Sequence, residues 1–110
     1  MKKFVDEFGI EYPIEKYFGD VIMGRESTCN IILPPVNSEY RDKNKMPIKY
    51  MSVSRIHALF RPTESTITNI SQRNKVTVDD IFSLAPRIPF EIDNGSKIKL
   101  GDLELKYIDK

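Results

Sequence analysis

Three short polar segments carry the side chains best suited to meet an anion: Gly24-Arg25-Glu26-Ser27-Thr28, Ser52-Val53-Ser54-Arg55 and Ser71-Gln72-Arg73-Asn74. Arg25, Arg55 and Arg73 each present a planar fork of donors that stays charged and matches two oxygens of a phosphate at once. The Ser54 hydroxyl can donate to a third oxygen. The Asn74 amide offers a donor and an acceptor together, the pair needed to grip an extended peptide backbone. Recognition of an oxyanion is the chemistry these groups indicate, and catalysis fits them poorly. His57 is the only histidine, and neither a nucleophile with an orienting group nor a set of zinc ligands stands at matching places around it. Cys29, the only cysteine, alternates with Ile31 and Leu33 and reads as a core residue. The basic run Arg41, Lys43, Lys45 and Lys49 is diluted by Glu39 and Asp42, so it reads as a solvated loop rather than a nucleic-acid patch.

Loops of this kind need strands to present them, and the hydrophobic pattern supplies strands. Apolar residues recur at a spacing of two in short runs broken by Gly, Pro, Asn and Asp, whereas helical spacing is almost absent. Strands are expected over Lys3 to Phe8, Glu11 to Glu15, Asp20 to Met23, Cys29 to Leu33, His57 to Arg61, Thr66 to Ile70 and Lys75 to Val78. A looser stretch from Ile81 to Ile92 holds two more around Pro86 and Pro89. Lys97 to Leu100 and Leu103 to Tyr107 alternate on either side of Gly101-Asp102, which predicts a hairpin with a two-residue turn. Pro13 lacks the N–H of a ladder and places its strand at a sheet edge. About ten or eleven short strands call for an all-β fold, an antiparallel β-sandwich of two packed sheets. From Pro34 to Ser52 periodicity is missing. This 34–52 segment is expected to be a long exposed loop, beyond the roughly 12–15 residues usual in compact domains.

With 110 residues the chain fits a single domain, 1–110. Its 17 Lys and Arg against 16 Asp and Glu leave a formal charge of +1, so no global field draws it to nucleic acid or to an anionic membrane, and any anion site must be local. A lone cysteine excludes an internal disulfide and a multi-cysteine metal site, and suits a reducing intracellular compartment. Met1-Lys2-Lys3 is not followed by the apolar stretch of a secretory signal, and no run nears the roughly 18 apolar residues of a spanning helix, so a soluble protein is expected. Neither a cofactor, a metal nor a small-molecule substrate is indicated.

Val21 to Leu33 with its Gly24-Arg25, then Val53-Ser54-Arg55-Ile56-His57-Ala58, then Asn69 to Asn74 with Val78-Asp79, together resemble the forkhead-associated (FHA) domain family. The likeness runs from Gly19 to Ile108. It implies a non-enzymatic β-sandwich, one of the Arg-cluster readers of phosphorylated motifs, binding a phosphothreonine-containing segment of a partner protein. By that resemblance Arg25 and Ser54 match the phosphate ligands, and Arg55 matches a variable loop residue touching phosphate or peptide. Arg73 stands where the family has Thr or Ser beside the phosphothreonine and is grouped with the phosphate ligands. Asn74 falls on the residue that holds the peptide backbone. His57 matches a buried histidine bracing the loops, and Gly24 is expected to let the backbone turn so that Arg25 reaches the loop end. The family's Asn-Gly-Thr is Asn74-Lys75-Val76 here. The resemblance further implies a monomeric domain that can be one module of a kinase or scaffold. Eukaryotic members serve nuclear DNA-damage and cell-cycle signalling, which makes a nuclear setting the expectation by analogy, and bacterial members exist too. The alternative is a structural or assembly sandwich that uses the 34–52 loop as its contact surface and reads no phosphate.

Overall fold

Alternating apolar and polar residues send every second side chain of a strand to one face. In the computed structural model, which describes residues 1–110, that pattern closes into two sheets. The first contains β1 (Lys2–Asp6), β2 (Glu11–Pro13), β7 (Val76–Val78), β8 (Phe82–Ser83), β10 (Lys97–Leu100) and β11 (Leu103–Asp109) in the order β2-β1-β11-β10-β7-β8. The second contains β3 (Val21–Gly24), β4 (Ile31–Ile32), β5 (Ala58–Arg61), β6 (Thr66–Asn69) and β9 (Phe90–Glu91) in the order β4-β3-β5-β6-β9. The fold is a β-sandwich. Phe4 of β1 and Tyr107 of β11 meet Phe60 of β5 across the layers, with ring centroids 5.2 to 5.3 Å apart. These three rings are fully buried and lock the sheets together.

Local chemistry explains several boundaries. Pro13 lies in β2, which is an edge strand. The β10–β11 hairpin turns at Gly101-Asp102 with Gly101 at φ +63°, and a Cβ there would also lie 2.4 Å from the Ser52 carbonyl oxygen. The expected first strand ends at Asp6 rather than Phe8, because the Asp6 carboxylate accepts from the Phe8 and Ile10 N–H groups and bends the chain toward β2.

Two expectations need correction. The sheets are antiparallel except at one edge, where β4 pairs with β3 in parallel, Met23 opposite Ile31. The segment between them folds back on itself, with Asn30 Oδ1 accepting from Ile22 N and Gly24 O accepting from Leu33 N, so the chain re-enters in the same direction. The 34–52 segment is not simply exposed. It holds a 3-10 turn at Glu39–Arg41, capped by the Ser38 hydroxyl, and a short helix, α1 (Ile48–Met51). Tyr50 of α1 is completely buried and donates to Asp6 Oδ2, while its ring and that of Tyr40 pack at a tilt against Phe8. Lys49 pairs with Glu7. Aromatic burial and one buried carboxylate therefore clamp a loop that its polar composition disguised.

Candidate functional site

The three polar segments converge at one end of the sandwich, and glycine is what lets the first two touch. A Cβ at Gly24 would stand 2.2 Å from the Arg55 carbonyl oxygen and 3.0 Å from that of Ser54. Gly24 has no left-handed φ; it serves close backbone approach, not the turn expected from the resemblance. The approach permits two bonds, Arg25 N to Ser54 O at 3.1 Å and Glu26 N to Arg55 O at 3.0 Å. Arg25 then donates its Nε to the Val53 carbonyl, which anchors the guanidinium and leaves its Nη groups unspent.

His57 joins all three segments from beneath. It is fully buried, its own N–H donates to Met23 O, and its carbonyl accepts from Ile70 N. Its Nδ1 accepts from Ser54 N at 3.0 Å, so Nε2 carries the hydrogen and donates to Lys75 O at 2.9 Å. Burial holds the imidazole below its ordinary pKa, against an opposing push from the Lys75 carbonyl. The ring is therefore a neutral brace. Cys29 packs under the same loops, its thiol donating to Arg55 O at 3.3 Å and its pKa raised by burial.

The third segment is built on Asn69 and Ser71. Asn69 Oδ1 accepts from Ser71 N, and Ser71 Oγ accepts from Arg73 N and Asn74 N, which curls the loop so that Asn74 faces Ser54. Asn74 Nδ2 donates to Ser54 Oγ at 2.7 Å, and Ser71 Oγ lies 2.8 Å from the same oxygen. The amide is thus drawn to the serine rather than standing free, while its Oδ1 remains available as an acceptor.

Charge is left over at this end. Glu26 is the only acid in the three segments, and none of the chain's ion pairs involves Arg25, Arg55 or Arg73. Arg25 is half-buried, whereas Arg55 and Arg73 are exposed; the structure ties Arg25, Ser54 and Asn74 into one network and leaves the other two guanidiniums at its rim. Two groups escaped the sequence reading. Ser71 contacts Ser54 directly, a role its turn chemistry alone does not announce. Arg41 of the long loop is half-buried and donates to Arg25 O at 2.8 Å and Pro34 O at 3.0 Å; its signal was hidden in a run that reads as solvated.

Two clefts lie elsewhere, about 210 Å³ beside Tyr17 and Pro35 and about 420 Å³ beside Phe82 and Ile88. The loop end is instead a rim of donors, suited to an extended ligand laid across it. No three His, Cys, Asp or Glu side chains are grouped to hold a metal ion, and no helix is long and apolar enough to cross a membrane.

Comparison with known proteins bears on the family and the fold. The family model described as FHA domain matches residues 21–101. Among solved structures, the N-terminal FHA domain of S. cerevisiae Rad53p, in complex with a phosphothreonine peptide, superposes with a TM-score of 0.71 at 14% identity, covering 99% of this chain and 93% of that one. The FHA domain of a Chlamydia trachomatis protein gives 0.70 at 17% identity, covering 99% and 97%. Mycobacterium tuberculosis EmbR, in complex with a low-affinity phosphopeptide, gives 0.69 at 20% identity, covering 97% of this chain and 24% of EmbR. At such identities the likeness speaks for the fold alone. No curated protein sequence matches the chain.

Proposed function

This chain belongs to the FHA domain family, and from that membership we propose that it is a non-catalytic module whose loop end binds a phosphothreonine-containing segment of a partner protein. One observation carries the reading: Arg25 and Ser54, from segments far apart in sequence, are rooted on the same stretch of backbone with donors unspent and no carboxylate to neutralise them. A phosphothreonine carries about −1.5 to −2 charges and offers oxygens that only accept, which is the complement of this donor set. Arg25 and Ser54 contact the phosphate, Arg55 and Arg73 add charge from the rim, and Asn74 holds the peptide backbone. Gly24 and His57 support the site without touching the ligand.

Each charge-assisted bond contributes about 1.5–3 kcal/mol, so losing the two forked bonds of Arg25 should weaken binding on the order of a hundredfold or more. The test is an oriented phosphothreonine peptide library, screened against the protein and Arg25→Ala with dephosphorylated peptides as control. Selection by the protein that Arg25→Ala abolishes supports the proposal; equal retention of phosphorylated and dephosphorylated peptides refutes it. A bound phosphopeptide should also raise the melting temperature, since it stabilises only the native state.

A second reading keeps the fold and discards the phosphate: the clamped 34–52 segment displays Ile48 at 80% and Met51 at 56% exposure, which suits an assembly contact. By analogy with eukaryotic members the proposal extends to an intracellular, nuclear setting in cell-cycle or DNA-damage signalling. A tagged protein excluded from the nucleus removes that extension alone.

A further inference from the structure

Counting donors and acceptors around Ser54 gives its proton a direction. Ser71 Oγ lies 3.2 Å from Arg73 N and 3.0 Å from Asn74 N. Backbone N–H groups only donate, so both acceptor positions of the Ser71 hydroxyl are filled. Its remaining contact, 2.8 Å to Ser54 Oγ, must therefore use Ser71's own proton. Ser54 Oγ accepts that proton's hydrogen bond and accepts a second from Asn74 Nδ2 at 2.7 Å. With both acceptor positions taken, the Ser54 hydroxyl has one function left, to donate.

We infer that Ser71 is a positioning residue of the anion site: together with the Asn74 amide it saturates Ser54 as an acceptor and so makes it an obligatory donor toward the loop end. The inference deepens the phosphothreonine reading and rests on it for its ligand. A serine free to rotate would divide its proton between internal acceptors and water, and part of the binding free energy would go into turning it. Here the donor is set before the ligand arrives, as in sites that stabilise charge by preorganised donors. The same saturation disfavours a ligand that brings a hydrogen to this point. Ionised phosphate, whose oxygens only accept, fits this donor.

The readout separates this role from mere loop support, because Ser71 also caps the Arg73 and Asn74 N–H groups. Affinities for a phosphothreonine peptide selected in the library screen are measured for Ser54→Ala, Ser71→Ala and the double variant. Ser71 acting through Ser54 predicts that Ser71→Ala weakens binding by about tenfold alone but by less than about twofold in the Ser54→Ala background. Equal losses in both backgrounds, or no loss in either, overturn the inference while leaving the phosphothreonine reading intact. Ser71→Thr, which keeps the hydroxyl, should hold affinity within about threefold. A second measurement needs no ligand. In the free protein, the Asn74 side-chain NH2 resonances should move on Ser54→Ala and on Ser71→Ala; if Ser54→Ala leaves them unmoved, the amide is not donating to Ser54 and the inference falls, whatever the peptides do. Failure of the unmodified protein to select any phosphopeptide strikes the functional reading instead.

Discussion

Two buried polar centres organise this domain. Under the long loop, Asp6 accepts from Phe8 N and Ile10 N through Oδ1, and from Tyr12 OH and Tyr50 OH through Oδ2, at 2.5 to 3.1 Å. A carboxylate has about four acceptor positions, so this centre is closed. The two phenols are held well above their ordinary pKa by burial and by the carboxylate beside them, and they stay neutral donors. Under the other loops, His57 is just as fully spent, yet the groups around it are not: the Ser54 proton, the Arg25 Nη groups and the two rim guanidiniums all lack partners within the chain. A saturated centre holds a fold. A saturated centre ringed by unsatisfied donors is what the proposed site requires, and the leftover chemistry, not the burial, marks the difference.

Asp6 is the group whose loss should separate the two centres most clearly. Asp6→Ala leaves four donors, two of them buried phenols, without an acceptor, and should cost about 3–5 kcal/mol of stability in urea unfolding. Phosphopeptide affinity of the folded protein should stay within about threefold; a parallel collapse of affinity would show that the two centres are one. Gly24→Ala is the counterpart on the other side. A methyl placed 2.2 Å from the Arg55 carbonyl must push the first two site segments apart, for an expected loss of about 1–3 kcal/mol, and here affinity should fall with stability. Denaturation and peptide titration on the same preparation would expose any separation of the two.

Arg41 links the regions, since it ties the long loop to the Arg25 carbonyl. Arg41→Ala should cost about 1 kcal/mol of stability and weaken the phosphopeptide several-fold, with Arg41→Lys failing to restore it because an ammonium cannot span both carbonyls. Unchanged affinity would assign the long loop wholly to the Asp6 centre. The smallest effect is in pH. His57 has an ordinary value of 6.5 and is held lower in the folded state by burial, so the unfolded chain binds the proton first. The contribution of neutral His57 is complete above about pH 6.5 and declines as pH falls from there through the folded-state value. His57→Gln should remove that component of the slope in a pH series of unfolding midpoints.

Much of this was readable from residues in order. The hairpin at Gly101-Asp102, the edge position of Pro13, the burial of Cys29 and the run of short strands follow from alternation and turn chemistry, which are local. Gly24-Arg25 and Ser54 to His57 were recognisable by type and spacing. Missed were the parallel β3–β4 edge, the burial of Tyr50 inside a polar stretch, the reason Gly24 is glycine, and the parts played by Ser71 and Arg41. Each of these depends on a contact partner that no local pattern names. Tyr50 is 44 residues from Asp6, and Ser71 is 17 from Ser54.

By itself the sequence determined the sandwich, its turns and the identity of the groups able to meet an anion, because strand alternation and backbone dihedral preferences are set within a few residues. Which of those groups would remain unsatisfied was decided only by the tertiary structure. Hydrogen-bond saturation is a property of atoms brought together from distant segments, and a donor becomes available to a ligand only once every internal acceptor has been placed out of its reach.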